Sequence, residues 1–267
     1  PDRYIEIGVQ EQLLAALSAG LALAGKIPFI ASYAMFCPGR AWEQIRTNIC
    51  LNEANVKIAG AHAGVSVGPD GATHQAIEDI SITRCIPRMT VVVPCDATQT
   101  AKATEAVARL EGPAYVRFGR EASPDFTTEK TPFEIGVAQT LREGDDVAII
   151  ACGILTYNAF IAAKELATEG IECCVINNHT VKPMDEGAVV GAAERCGAIV
   201  TVEEHTILGG MGSRVAEIIA AHHPAPIEFV GVHGVFGQSG KPEELIEHYG
   251  MGVSHIKEAA RRALARK

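Results

Sequence analysis

Val56-Lys57-Ile58-Ala59 runs straight into Gly60-Ala61-His62-Ala63-Gly64-Val65-Ser66-Val67-Gly68-Pro69-Asp70-Gly71-Ala72-Thr73-His74-Gln75-Ala76-Ile77-Glu78-Asp79. The first four residues read as a buried strand, and residues 76–83 as the start of a helix. Between them a loop punctuated by glycine at 64, 68 and 71 holds His62, Asp70 and His74. Glycine lets a backbone turn tightly and come close to a ligand. A polar, glycine-rich loop leaving a strand end is where open α/β sheets bind their ligands. One histidine in a surface loop carries little weight. Three titratable groups within thirteen residues, all set between glycines, mark a site.

Outward from this stretch the same strand–helix alternation repeats. Toward the N-terminus, residues 4–8 read as a strand and 10–24 as a helix, with Leu13, Leu14, Leu17 and Leu21 at helical spacing. Residues 29–34 read as a strand and 40–51 as a helix carrying the only tryptophan, Trp42. Toward the C-terminus, strands at 90–94 and 114–118 flank a helix at 98–110. Near-continuous apolar strands in this alternation imply a parallel sheet covered on both faces. Residues 121–136 are polar, carry two prolines and show no periodicity, as a linker does. A second α/β unit follows, with strands at 146–152, 171–177, 198–203 and 227–232 and helices at 157–168, 185–195, 211–222, 242–248 and 254–265. The fold class is therefore α/β with two doubly wound domains, residues 1–122 and 137–267, joined by 123–136.

The bulk composition excludes several classes of function. A 267-residue chain that is 48% hydrophobic can bury a sizeable core, and 21% charged residues is ordinary for a globular protein. A net charge of -9 argues against a nucleic-acid or anionic-membrane surface. The eight cysteines show no C-x-x-C spacing, and Cys173-Cys174 lie inside an apolar run, as reduced, buried thiols of a cytoplasmic protein do. The Gly209-Gly210-Met211-Gly212 run lacks the spacing of a dinucleotide fingerprint and reads as tight helix packing. Lys182-Pro183-Met184-Asp185 reads as a turn with a helix cap.

Three further constellations carry chemistry. Glu11, in Gly8-Val9-Gln10-Glu11-Gln12, sits at a strand-to-helix turn. Taken alone it is a carboxylate in a first helical turn, worth well under ~1 kcal/mol. Partly buried, it could share a proton with a ring nitrogen. Tyr33 and Phe36, three apart and followed by Pro38-Gly39-Arg40, offer an aromatic wall for a planar heterocycle. Arg117-Phe118-Gly119-Arg120 ends a strand where an arginine can grip a phosphate.

Together with the Asp70-Gly71-Ala72-Thr73-His74-Gln75 segment, these residues stand in the order and approximate spacing of a transketolase. The chain resembles the C-terminal subunit of a split transketolase over essentially its whole length. The resemblance implies a parallel-sheet pyrimidine-binding domain followed by a smaller mixed-sheet C-terminal domain. It implies transfer of a two-carbon ketol group between a ketose phosphate and an aldose phosphate through a thiamine diphosphate carbanion, as in pentose phosphate metabolism. Glu11 matches the glutamate that bonds the aminopyrimidine, and Tyr33 and Phe36 match its aromatic pocket, with Ile30 where some relatives carry another aromatic. His62 and His74 match histidines that contact substrate oxygens and serve catalysis with Glu11. Asp70 matches a reader of a donor hydroxyl, and Arg120 a binder of the sugar phosphate.

The family's diphosphate and Mg or Ca ion are held by a Gly-Asp-Gly…Asn motif that this sequence lacks. The resemblance therefore implies that they come from an N-terminal partner subunit, with a dimer of this chain inside a heterotetramer. The family's pyrimidine domain also begins with a strand and helix ahead of the Pro1 equivalent; either those residues are lost or disordered, or the sheet is incomplete, and a truncated sheet would expose an apolar edge. Two other readings remain beside this one: the β subunit of a 2-oxo-acid dehydrogenase, and a non-catalytic assembly subunit.

Overall fold

A strand that is apolar on both faces must be covered on both faces, and the chain meets this requirement twice. The computed structural model describes residues 3–267. Helix α1 (Glu11–Leu23) precedes strand β1 (Phe29–Tyr33), and a short helix α2 (Trp42–Gln44) widens into a π-helical turn over Ile45–Cys50. Strand β2 (Lys57–Ala61) leads through a 3-10 turn (Val65–Asp70) to α3 (Asp79–Arg84), β3 (Thr90–Val92), α4 (Ala97–Arg109) and β4 (Ala114–Arg117). The second half runs β5 (Gln139–Arg142), β6 (Val147–Ala151), α5 (Leu155–Ala167), β7 (Cys173–Asn177) and β8 (Thr180–Lys182). It ends with α6 (Glu186–Cys196), β9 (Ile199–Thr206), α7 (Met211–His222), β10 (Ile227–Val232), α8 (Pro242–His248) and α9 (Val253–Leu264).

Local chemistry sets several of these boundaries. The Asp96 side chain accepts from Gln99 N at the start of α4, and Asp185 accepts from Ala188 N at the start of α6, the helix cap expected after Pro183. Close packing at the 209–212 run is also as expected, since a Cβ at Gly212 would lie 2.5 Å from Thr201 Oγ1.

Each half builds one five-stranded sheet, ordered β1-β2-β4-β3-β8 and β10-β9-β6-β7-β5. The first is parallel except at its β8 edge, and the second is parallel except at its β5 edge. Strand β8 belongs to the second half of the sequence yet closes the first sheet against β3. The core crosses the same boundary: Ile45, Ile58, Ile80 and Tyr115 pack in one cluster with Ile150, Ile176, Val189 and Ile219. Side chains of this size contribute about 1.5–3 kcal/mol each on burial.

Three expectations are corrected. Residues 4–8 form no strand and join neither sheet. Instead the Glu6 side chain accepts from Gly8 N and Tyr4 Oη, and Tyr4 and Ile5 stay exposed. The helix expected at 76–83 begins only at Asp79. The first sheet is not wholly parallel, since its outermost strand arrives from the other half. Among the described residues β1 is the other edge strand of this sheet, Ile27 and Phe29 are about half exposed, and a groove of about 900 Å³ runs between residues 3–8, α1 and β1. The expected first residue of the first domain, Pro1, lies outside the described residues. No helix among them is long and apolar enough to cross a membrane.

Candidate active site

Parallel pairing sets the C-terminal ends of β1 and β2 side by side, with Tyr33 opposite Ala61. The next residue, His62, therefore emerges beside Tyr33. The two rings stack with centroids 4.1 Å apart and planes 9° apart. To turn there, His62 takes φ +55°, a left-handed conformation in which a Cβ is crowded. The loop then closes on itself: Ala63 N donates to Phe118 O at 3.0 Å, and Gly64 N to Ala76 O at 2.7 Å. That closure returns His74 to the same place, edge-on to Tyr33 at 5.8 Å and to Phe36 at 5.3 Å. Thr73 Oγ1 and His74 Nδ1 share a hydrogen bond of 2.9 Å, which leaves Nε2 for another partner. His62 Nδ1 is buried and has no partner among the described residues. Two aromatics and two histidines thus form one box at the strand ends.

Glu11 opens α1 and is 6% exposed. Its Oε2 is buried without a hydrogen-bond partner among the described residues, and the nearest cation is Arg40 Nη1 at 3.8 Å. The Arg40 guanidinium also lies 5.4 Å over the Phe36 ring, so one side chain joins the carboxylate to the aromatic box. Ile30 alternates to the other face of β1 from Tyr33. It lines the groove between α1 and β1 together with Glu11 rather than joining the two rings. At the far end of the loop Arg120 Nη1 donates to Val67 O at 2.9 Å and lies 3.5 Å from Asp70 Oδ1. Both side chains remain about one-third exposed, open to a charged ligand.

Beneath the loop lies a buried charged layer. Arg117 Nε donates to Asp79 Oδ2 at 2.8 Å, and Tyr115 Oη donates to the same oxygen at 2.7 Å. Burial opposes the Asp79 charge, but the Arg117 guanidinium overrides it and holds the carboxyl below the usual range. Gln75 Nε2 donates to Val65 O, Gly68 O and Gln238 O, clamping the loop to the segment ahead of α8. The Glu204 side chain reaches Ser66 N from β9.

Residues 1–125 match the description "Transketolase, pyrimidine binding domain", and residues 136–256 match "Transketolase, C-terminal domain". The chain belongs to the transketolase family. It is 40% identical over 267 residues to the 6-deoxy-6-sulfo-D-fructose transketolase subunit SqwH of Clostridium sp. (strain MSTE9), covering 100% of this chain and 83% of that protein. It is 38% identical over 257 residues to an apulose-4-phosphate transketolase subunit of Phocaeicola vulgatus, covering 96% and 82%. Among solved structures, one described as a split gene transketolase, inactive beta4 tetramer, superposes with a TM-score of 0.95 at 44% identity, covering 100% of this chain and 86% of that one. The two units are thus the family's pyrimidine-binding and C-terminal domains, as in a split transketolase subunit.

Of the residues the transketolase pattern singles out, Tyr33, Phe36, His62 and His74 meet directly, and Arg40 connects them to Glu11. Ile30 shares a wall with Glu11, and Asp70 and Arg120 pair at the rim. Of the two arginines in the 117–120 segment, Arg117 is not free to grip a phosphate. It lies on β4, flanked by β2 and β3, and is 6% exposed in its pair with Asp79. Sequence reasoning missed Gln75, Asp79 and Glu204. The visible signal was three titratable residues, Glu203-Glu204-His205, inside an otherwise apolar strand.

Proposed function

We propose that this chain is the pyrimidine-side subunit of a two-chain transketolase that moves a ketol unit from a ketose phosphate, or an anionic ketose analogue, to an aldose phosphate. The observation that carries this reading is the buried, unpartnered Oε2 of Glu11 beside the box of Tyr33, Phe36, His62 and His74. The family depends on thiamine diphosphate, and these residues fit its aminopyrimidine: a lone buried carboxylate oxygen for a ring N–H, and an aromatic face nearby. When bound, that cofactor supplies a nucleophilic carbon and an electron sink.

The chain's own part follows from its side chains. Glu11 Oε2 would accept a hydrogen bond from a ring N–H of the bound cofactor and could hold its proton. Phe36 and Tyr33 would give the heterocycle apolar cover, and Ile30 would line the wall beside Glu11. His74 Nε2 and His62 Nδ1 stand ready to donate to, or take a proton from, substrate oxygens. Asp70 reads a donor hydroxyl, and Arg120 grips the terminal anion as a charge-assisted fork. The partner subunit supplies the diphosphate cradle and its Mg or Ca ion, around a dimer of this chain. Eight free thiols suit a reducing compartment, the cytoplasm.

Relatives named for sulfofructose and apulose-phosphate substrates favour ketol transfer over 2-oxo-acid chemistry, and they widen the donor to ketoses ending in phosphate or sulfonate. The test mixes this chain with the diphosphate-carrying subunit and presents xylulose 5-phosphate and ribose 5-phosphate. Apulose 4-phosphate and 6-deoxy-6-sulfofructose serve as alternative donors. Turnover is expected from the mixture and from neither chain alone. Turnover by this chain alone would sink the two-chain reading, and pyruvate decarboxylation in place of sugar transfer would favour the dehydrogenase alternative.

A further inference from the structure

Ser66 lies inside the His62–His74 loop, yet its backbone N–H donates to the other domain: the acceptor is Glu204 Oε1 on β9, at 2.6 Å. Gly64 runs against the same carboxyl so closely that a Cβ would come within 2.3 Å of its Cδ. The main-chain oxygen of Glu204 accepts from Arg117 Nη2 at 2.8 Å, and that guanidinium nitrogen also reaches Ala76 O at 3.3 Å. Ala76 O in turn accepts from Gly64 N. Both ends of the loop are thus tied to one residue of the second domain.

Burying a carboxylate is costly, and burial pushes the Glu204 carboxyl up against the pull of Arg117. The neighbouring Glu203 shows what an ordinary structural glutamate does on this strand. It accepts from Met211 N at 2.7 Å and Gly212 N at 2.9 Å, capping α7 inside its own domain. Glu204 points the other way, into the loop.

We propose that Glu204 is a positioning residue: its carboxylate fixes the Gly64–Ser66 backbone and so holds the left-handed turn that stacks His62 on Tyr33. This assignment gives the second domain a part in the active site, and it rests on the reading of His62 as a substrate-facing residue. Glu204 need touch neither substrate nor cofactor.

The test compares Glu204→Ala, Glu204→Gln and Glu203→Gln in the chain reconstituted with its partner subunit. Glu204→Ala is expected to lower kcat/KM for the ketose donor roughly 10- to 100-fold, the factor matching a lost hydrogen bond to a buried charged group, chiefly through KM. Glu204→Gln keeps an oxygen for Ser66 N and recovers most of that loss. Glu203→Gln lowers the thermal midpoint without moving KM. Hydrogen exchange on the chain alone reads the contact directly: the Ser66 amide loses protection in Glu204→Ala, while β2 and β4 amides keep theirs. Wild-type exchange at Ser66 in Glu204→Ala, an unchanged donor KM, or a Glu204→Gln variant as impaired as Glu204→Ala would each overturn the proposal. Should Glu204→Ala fail to fold, Ser66 exchange and donor KM in Glu204→Gln decide alone, and both are expected near wild type. Absence of sugar turnover in the wild-type mixture would remove the transketolase reading, while Ser66 exchange would still decide whether Glu204 holds the loop.

Discussion

Replacing Glu11 by glutamine removes one negative oxygen from a site where it has no neutral partner to lose. Stability should therefore hold nearly unchanged: the buried oxygen accepts no hydrogen bond, and its ion pair with the half-exposed Arg40 at 3.8 Å is worth about 0–1 kcal/mol. Reconstituted turnover should fall by about 10²-fold or more, the usual scale for loss of a positioned proton carrier. A thermal midpoint near wild type beside that loss would mark the carboxylate as functional; full turnover would favour the assembly-subunit reading. Arg117→Met should show the opposite pattern. It strands Asp79 as an uncompensated buried charge, which costs about 3–5 kcal/mol of unfolding free energy. The double variant Asp79→Asn with Arg117→Met should recover part of that in urea titrations, because the pair is lost as a unit. The two arginines of the 117–120 segment look alike in sequence. Only the sheet order separates them, placing Arg117 between two covering strands and Arg120 beyond the strand end.

At the scale of elements, the strand ends and the loop between them were legible because their signals are local: apolar runs, glycine punctuation and the Thr73-His74-Gln75 setting. β8 was not. Three residues beside Pro183 carry no periodicity, and the partner strand lies in the other half of the chain. The same limit hid Glu204, whose bond to Ser66 spans 138 positions. The link between β7 and β8 has a consequence in acid. His179 is fully buried there and stacks on Phe133 at 4.3 Å. Burial keeps its imidazole neutral and pushes its pKa down from 6.5 to about 4. In that interval the unfolded chain binds the extra proton, so this group's contribution to stability is present above pH 6.5 and is lost as pH falls toward 4. By pH 5 the loss amounts to about 2 kcal/mol. His179→Phe should flatten this part of the acid slope, measured as the difference between variant and wild-type urea midpoints across that range. Parallel slopes would show that His179 titrates normally.

Across the whole molecule, one core cluster and one shared sheet join the two domains. Calorimetry of the chain should therefore show a single transition whose calorimetric and van't Hoff enthalpies agree. Two resolved transitions would mean that the shared strand adds little. β8 also bears on how such an enzyme can be divided among genes. A breakpoint between chains is harmless where no strand crosses it, and a split-gene relative shows that the family includes divided enzymes. The linker at 123–136 looks like another permissible breakpoint, but a cut there would divide a sheet. A fragment spanning residues 3–136 would carry β3 with an unpaired edge, a template for association. Light scattering should find that fragment aggregated while the full chain is not, and a monodisperse, cooperatively unfolding fragment would refute the point. A cut at the linker is thus opposed by a three-residue strand, and the two domains are expected to fold together as one chain.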